Sequence, residues 1–150
     1  MEIKGFILIG LALKTKTTNE NGQSSIDCGG LWQKFTEERY AERIPDKLGD
    51  DIFAVYYNYE GDHTKPFSYF LGCQVKTIDN IPVGMDSLII PDGKYQAFTA
   101  RGKMHDFIDK AWNEICISSF ERAYKFDFEV YSVKSRDWNN AEVEILLSVK

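Results

Sequence analysis

Glu129 is the residue of this 150-residue sequence whose surroundings most favour chemistry. It lies between Phe128 and Val130 in a predicted strand, and Tyr131 follows two positions later on the same face. A carboxylate removed from water is costly unless it is paired or hydrogen-bonded. Such an anion can balance the charge of a lipophilic cation, to which aromatic ring faces add about 0.5–2 kcal/mol of attraction. We interpret Glu129 as an anion at the floor of an aromatic cleft; the alternative is a glutamate on the solvent face of a sheet.

Aromatic side chains supply the other candidate binding residues, and they form 14% of the sequence. Rings in that number need either extensive packing surfaces or a pocket that they line. Trp112 lies on a predicted helix, where it packs against the sheet or lines the cleft, and Trp32 is its counterpart in the first half. Tyr57 and Tyr59 share one face of a predicted strand, although aromatic pairing across strands explains them without a ligand. Phe98 is interpreted first as a core residue. The predicted ligand-binding set is Glu129, Trp112, Tyr131, Tyr57, Tyr69, Phe98, Tyr59 and Trp32.

Residues that would carry other chemistry are scattered along the chain. His63 and His105 lie far apart and lack the clustered ligands that a metal site needs. Cys28, Cys73 and Cys116 form no C-x-x-C pair, and we interpret them as small buried residues in a reducing compartment. No serine or cysteine lies in a nucleophile-elbow pattern. We therefore predict neither a metal nor another cofactor.

The charge balance argues against nucleic acid as a direct partner. Eighteen basic and 23 acidic residues give a net charge of −5, so the chain lacks the basic surface that nucleic acid requires. The apolar run at residues 5–13 is too short for a transmembrane helix, which needs about 20 residues. No small-residue cleavage site follows it. We predict a cytoplasmic protein that binds neither nucleic acid nor membrane.

Apolar periodicity and turn residues predict the elements that position these side chains. The predicted strands cover residues 3–17, 52–59, 67–77, 87–90, 94–101, 127–134 and 142–149, and the predicted helices cover residues 27–41 and 104–120. We interpret the order as β-α-β-β, a connection, and a second β-α-β-β, with a tryptophan in each helix. This predicts one α+β domain over residues 1–150, a tandem duplicate of half-repeats 1–77 and 86–150 with pseudo-twofold symmetry. We expect an antiparallel sheet with both helices on one face and a cleft between the halves.

Five segments in order carry a resemblance to a known family: YFLGCQV at 69–75, IPDGKYQAF at 90–98, AWNEI at 111–115, DFEVY at 127–131 and EILLSVK at 144–150. The chain resembles the GyrI-like small-molecule-binding domain, the effector-binding domain of AraC-type and MerR-type regulators. Ser148 stands where the family often has proline, and the first half matches less well than the second. Since neither end resembles a DNA-binding segment, we expect a stand-alone domain.

The resemblance implies that Glu129 contacts the ligand. The leading hypothesis is a stand-alone sensor, sequestering or transcription-regulation-associated protein that binds small hydrophobic, cationic effectors. A second hypothesis is a hydrolase of electrophilic small molecules, as in some members of the family, with Glu129 as base and Tyr57 or Tyr69 assisting. A third is a protein-interaction module of gyrase-inhibitor type, whose acidic surface meets a basic partner.

Overall fold

The computed structural model of the chain describes residues 1–62, 64–103, 106–116, 121–137 and 139–150. The strands in these ranges are β1 (Glu2–Ile3), β2 (Phe6–Ala12), β3 (Ile52–Tyr57), β4 (Ser68–Val75), β5 (Asp86–Ile90), β6 (Gly93–Gly102), β7 (Asp127–Tyr131) and β8 (Ala141–Ser148). The α-helices are α1 (Gln23–Glu37), α2 (Tyr40–Arg43) and α3 (Asp106–Cys116). No helix within the described ranges is long and apolar enough to cross a membrane. The predicted α+β class is confirmed.

The strands form one eight-stranded sheet in the order β1-β6-β8-β7-β3-β4-β2-β5, and every pair is antiparallel. β3 and β7 pair at the centre. Outward from there, the first half runs β3, β4, β2 and the second half runs β7, β8, β6. Each half therefore places the strands of its own β-α-β-β unit in the same spatial order. Two units related by a pseudo-twofold axis would have this arrangement, and the duplication itself stays a prediction.

The sheet is curled so far that the chain connects its two edges directly. β1 pairs with β6 at one edge, and only two residues later β2 joins β4 and β5 at the other. The link is tight at Gly5, where an added Cβ would lie 2.7 Å from the carbonyl oxygen of Ile90. Curling encloses the inner face of the sheet, which buries Leu8, Val55, Phe70, Ile90, Tyr95, Phe128 and Leu146.

Both long helices pack on the outer face of the sheet, as predicted. α1 places Leu31 and Phe35 against residues of β2, β3 and β4. α3 places Phe107, Ile108 and Ile115 against residues of β6 and β8. Because side chains alternate along a strand, Glu129 on β7 points to this helix-bearing face while its neighbour Phe128 points to the inner one.

Element boundaries differ from the prediction where the backbone turns. The strand expected at residues 3–17 is divided into β1 and β2, because the chain passes from one sheet edge to the other at Lys4 and Gly5. The helix expected at 27–41 starts at Gln23 and ends at Glu37, since Arg39 adopts the left-handed conformation with φ of 53°. Of the helix expected at 104–120, residues 104, 105 and 117–120 lie outside the described residues.

Candidate functional site

A cavity of about 700 Å³ lies between α1, α3 and the outer face of the sheet. Cavities of this size suit drug-sized molecules. The segment that leads into α1, α1 itself, the strands, α3 and the chain after it all contribute to the wall. The lining residues are Asn19, Gly22, Ser24, Ser25, Cys28, Trp32, Tyr56, Tyr59, Phe67, Tyr69, Ile108, Asp109, Trp112, Asn113, Cys116, Arg122, Glu129 and Tyr131.

The Glu129 carboxylate lies at the floor of this cavity and is 1% exposed. Its strand is central in the sheet, where Glu129 pairs with Ala54 on one side and Ile145 on the other. Three hydrogen bonds hold the carboxylate. The Trp112 indole Nε1 donates to Oε2 at 2.6 Å, the Tyr56 hydroxyl donates to Oε2 at 3.3 Å, and the Tyr131 hydroxyl donates to Oε1 at 3.0 Å.

The ionisation of Glu129 is balanced near neutral pH. Burial raises its pKa to about 7, because the charged form loses its hydration. The hydrogen bonds from Trp112, Tyr131 and Tyr56 act in the opposite direction, and the negative charge of Asp109 adds to the rise. A small change in the cavity, such as the arrival of a charge, is therefore enough to shift the carboxyl between its neutral and ionised forms.

Aromatic side chains form a connected wall around the carboxylate. The Trp32 indole Nε1 donates a hydrogen bond to the Tyr69 hydroxyl at 2.8 Å, and the Trp32 ring meets the Tyr131 ring edge-on at 4.7 Å. Tyr56 makes edge contacts with Tyr69 at 5.0 Å and with Trp112 at 5.1 Å. Burial, and then the charge of Glu129, raises the pKa of the Tyr56 and Tyr69 phenols well above the usual range. These hydroxyls stay protonated and remain donors.

A buried ion pair, separate from Glu129, also borders the cavity. Arg122 Nη2 lies 2.9 Å from Asp127 Oδ2, and Asp127 is fully buried. The Tyr59 hydroxyl donates to the same oxygen at 2.6 Å, while the backbone N–H and hydroxyl of Ser148 donate to Asp127 Oδ1 at 2.7 and 2.9 Å. The Arg122 guanidinium also stacks over the Tyr124 ring, with Cζ 4.3 Å from the ring centroid.

Six of the eight residues predicted to bind ligand line the cavity: Glu129, Trp112, Tyr131, Tyr69, Tyr59 and Trp32. Tyr57 does not. It lies on the other face of the sheet, where its ring stacks on Phe126 at 5.8 Å. Phe98 does not line the cavity either, and it packs in the core beneath α3. The prediction that Tyr57 lines the cavity is therefore corrected. Phe98 lies in the core, which was its first interpretation.

Tyr57 was placed on the wrong face because the backbone turns directly after it. The prediction assumed that Tyr57 and Tyr59 share a face because they are two residues apart. β3 instead ends at Tyr57, and Asn58 takes the left-handed conformation with φ of 51°. The turn at Asn58 returns Tyr59 to the side on which Tyr56 lies, so both rings line the cavity. Tyr56 was not among the residues predicted to bind ligand. The available signal was its position two residues from small, buried Ala54, which puts both side chains on one face of β3.

The remaining candidates from the sequence are two histidines and three cysteines. His63 and His105 lie outside the described residues. Cys28 lines the cavity, but burial, with the charges of Glu129 and Asp27, raises the pKa of its thiol to about 12. It is therefore protonated at neutral pH and a poor nucleophile. Within the described ranges no three histidine, cysteine or acidic side chains come together as metal ligands.

The fold is that of an effector-binding domain. Comparison with known families agrees: the profile of Cass2, described as integron-associated effector binding protein, matches residues 1–149. The chain belongs to this family.

The chain is also similar to individual proteins and solved structures. The putative transcriptional regulator protein YobU of Bacillus subtilis (strain 168) is 25% identical over 123 residues, which are 80% of this chain and 75% of YobU. An integron cassette protein from the mobile metagenome of Vibrio cholerae is 28% identical, with a TM-score of 0.76 over 100% of this chain and 94% of that one. The structure of SAV2435 bound to tetraphenylphosphonium has a TM-score of 0.80 and 20% identity, covering 100% and 92% of the chains. At that identity the likeness to SAV2435 shows the fold alone.

Proposed function

We propose that the chain binds small hydrophobic cations in the cavity, with Glu129 as counter-ion and the surrounding rings as walls. It would act as a sensor, sequestering or transcription-regulation-associated protein. The observation that carries this proposal is the Glu129 carboxylate, which is 1% exposed and makes no ion pair with any described lysine or arginine. A buried anion without a cationic partner is expensive. A ligand that brings the missing positive charge removes that cost.

The wall of the cavity fits the apolar part of such a ligand. Trp32, Tyr56, Tyr69 and Trp112 present rings around the carboxylate, and ring faces attract cations as well as bury apolar surface. The tyrosine hydroxyls are engaged with Glu129 or with Trp32. Around the carboxylate the ligand therefore meets rings whose hydroxyl and indole N–H groups are already hydrogen-bonded, and recognition there would rest on charge and shape.

The test compares two ions of the same shape and opposite charge. Tetraphenylphosphonium, with which SAV2435 was solved, and tetraphenylborate would each be titrated into the protein by calorimetry and tryptophan fluorescence. We expect the phosphonium to bind and the borate to fail. The Glu129→Gln variant keeps the side-chain shape and should lose about 1–3 kcal/mol of phosphonium affinity, the usual range for charge-assisted contacts.

Glu144→Gln is the matched control, because Glu144 is an exposed glutamate on the neighbouring strand β8. It should bind the phosphonium as the wild type does. Equal binding of phosphonium and borate, or an unchanged affinity in Glu129→Gln, would refute the assignment of Glu129 as counter-ion.

A hydrolase of electrophilic small molecules is the second candidate, favoured by the Glu129 pKa of about 7. A carboxylate with that pKa is a suitable general base at neutral pH. It would take a proton from water as the water oxygen attacks a carbon of the strained ring and the ring C–O bond breaks. The ring oxygen would take the hydroxyl proton of Tyr56 or Tyr131, rather than Tyr57, and that tyrosine would regain a proton from Glu129 through their hydrogen bond. Hydrolysis of styrene oxide by the wild type and its loss in Glu129→Gln would support this reaction, and equal rates with and without protein would exclude it for that substrate.

A further inference from the structure

Arg122 carries two donor nitrogens that no oxygen or nitrogen of the described residues engages. Its side chain is 5% exposed and borders the same cavity as Glu129. Nη2 is bound to Asp127, but Nε and Nη1 are buried and have no hydrogen-bond partner among the described residues. The nearby Cys116 thiol is at most a weak acceptor. Buried donors without a partner are rare in native proteins and call for an explanation.

The guanidinium is fixed in place by its surroundings. Asp127, which holds Nη2, is itself held by Tyr59 and by two bonds from Ser148. Tyr124 and Trp112 lie against the guanidinium, with ring centroids 4.3 and 5.8 Å from Cζ. An arginine held on several sides keeps its remaining N–H groups in a defined direction, so they form a preorganised donor pair.

Charge decides which acceptor suits these donors. Asp127 already balances the positive charge of Arg122, and Glu129 in the same cavity repels anions. A neutral oxygen gives the N–H groups the bonds that they lack without adding a second negative charge. Carbonyl, ester, amide and ether oxygens have this chemistry.

Arg122 and Glu129 are both next to the indole of Trp112. Trp112 donates its Nε1–H to Glu129 at 2.6 Å, and its ring centroid is 5.8 Å from Arg122 Cζ. A ligand that covers Trp112 therefore lies next to both groups. Its cationic centre would be near Glu129, and its oxygen near Arg122.

We propose that Arg122 forms an acceptor subsite, in which its free N–H groups bind a neutral oxygen carried by a cationic aromatic ligand. The subsite rests on the proposed function, since it deepens the ligand class of the same cavity. The preferred ligands are cations with a carbonyl or ether oxygen on a ring next to the charged centre, rather than purely hydrocarbon cations.

The test uses three phosphonium ions that differ only at one ring. These are tetraphenylphosphonium, (4-acetylphenyl)triphenylphosphonium and its isosteric counterpart (4-isopropylphenyl)triphenylphosphonium. In the wild type the acetyl compound should bind about tenfold more tightly than the isopropyl compound, the effect of a hydrogen bond from a charged donor. The ratio of these two affinities is the readout, because a change that only loosens the cavity weakens all three ions together.

Two variants locate the effect at Arg122. Arg122→Lys keeps a positive charge for Asp127 but loses the planar group of donors. The double variant Arg122→Met with Asp127→Asn removes both charges, so that neither is left buried alone. In both, the acetyl-to-isopropyl ratio should fall close to one, and tetraphenylphosphonium, which has no acceptor oxygen, reports any general change of the cavity.

Failure of the subsite can be told apart from failure of the proposed function. Tetraphenylphosphonium binding with no advantage of the acetyl compound in the wild type would overturn the subsite and leave the counter-ion intact. An advantage that persists in the variants would also overturn it. If none of the three ions binds, the proposed function and the subsite fail together.

Discussion

Proton release on cation binding is the consequence of the Glu129 environment that can be measured most directly. The free carboxyl has a pKa of about 7, and a bound cation favours the ionised form and so lowers that pKa. Tetraphenylphosphonium has no titratable group. The proton that leaves must therefore come from the protein, and at pH 7 about half a proton per bound cation is expected.

The same equilibrium fixes how affinity varies with pH. With a pKa of about 7, about one carboxyl in eleven is ionised at pH 6 and about ten in eleven at pH 8. Because the cation selects the ionised form, its apparent affinity should rise about tenfold between these values. Above pH 8 the affinity should be constant, because the carboxyl is already ionised. In Glu129→Gln the affinity should be lower and independent of pH.

Calorimetry in phosphate and in Tris at one pH measures the released proton, since the two buffers differ in ionisation enthalpy. Wild-type protein should give different observed enthalpies in the two buffers, and Glu129→Gln should give the same enthalpy in both. Glu144→Gln, whose glutamate is exposed, controls for the loss of a carboxylate elsewhere on the sheet. Equal wild-type affinity at pH 6 and pH 8 would refute the role of Glu129 as a titrating counter-ion. Such a result would mean that the carboxyl is already ionised at pH 6 or that the cation does not contact it.

Three further predictions concern stability, each read by thermal or denaturant unfolding of the free protein. The folded-state pKa of Glu129 is raised from 4.5 to about 7. The protonated carboxyl therefore contributes to the free energy of unfolding in full below pH 4.5, and this contribution is lost as pH rises through 7. Wild-type stability should fall by roughly 3 kcal/mol across that window relative to Glu129→Gln, and parallel pH profiles would contradict this. Gly30 is exposed in α1 with nothing within 4 Å of an added Cβ, so Gly30→Ala should stabilise the protein by about 0.5–1 kcal/mol; destabilisation would show that α1 needs the glycine. Ser148→Pro removes both donors to Asp127 and should cost more than Ser148→Ala, which keeps the backbone N–H; equal costs would mean that this N–H contributes nothing.

Much of the fold could be predicted because local patterns specify it. Because side chains alternate between the two faces of a strand, Glu129 and Tyr131 lie on one face of β7. Their hydrogen bond follows from this shared face. Helical spacing of apolar residues predicted α1 and α3 as elements that cover a sheet. These features depend on neighbours within a few residues, which one sequence displays.

Features that depend on tertiary structure could not be predicted in the same way. The left-handed residue Asn58 reverses the alternation after β3, and asparagine permits this conformation without requiring it. Arg122 lies in no regular element, so no periodicity placed it near Asp127. Ser148 differs from the proline frequent in GyrI-like domains, and the structure gives a physical reason: its N–H and hydroxyl both bind Asp127, and proline has neither.

The curled sheet has a consequence for fragments of the chain. In the whole molecule β3 has β7 beside it, and the inner face is enclosed by strands from both halves. A fragment ending at Val75 would keep β2, β3 and β4 but leave β3 with unpaired N–H and C=O groups along the edge where β7 belongs. It would also expose Val55 and Phe70 to water. Open edges beside apolar faces template association with other chains. Either half alone should therefore self-associate rather than fold as a small domain, so that solubility, and not only the cavity, depends on both halves being joined.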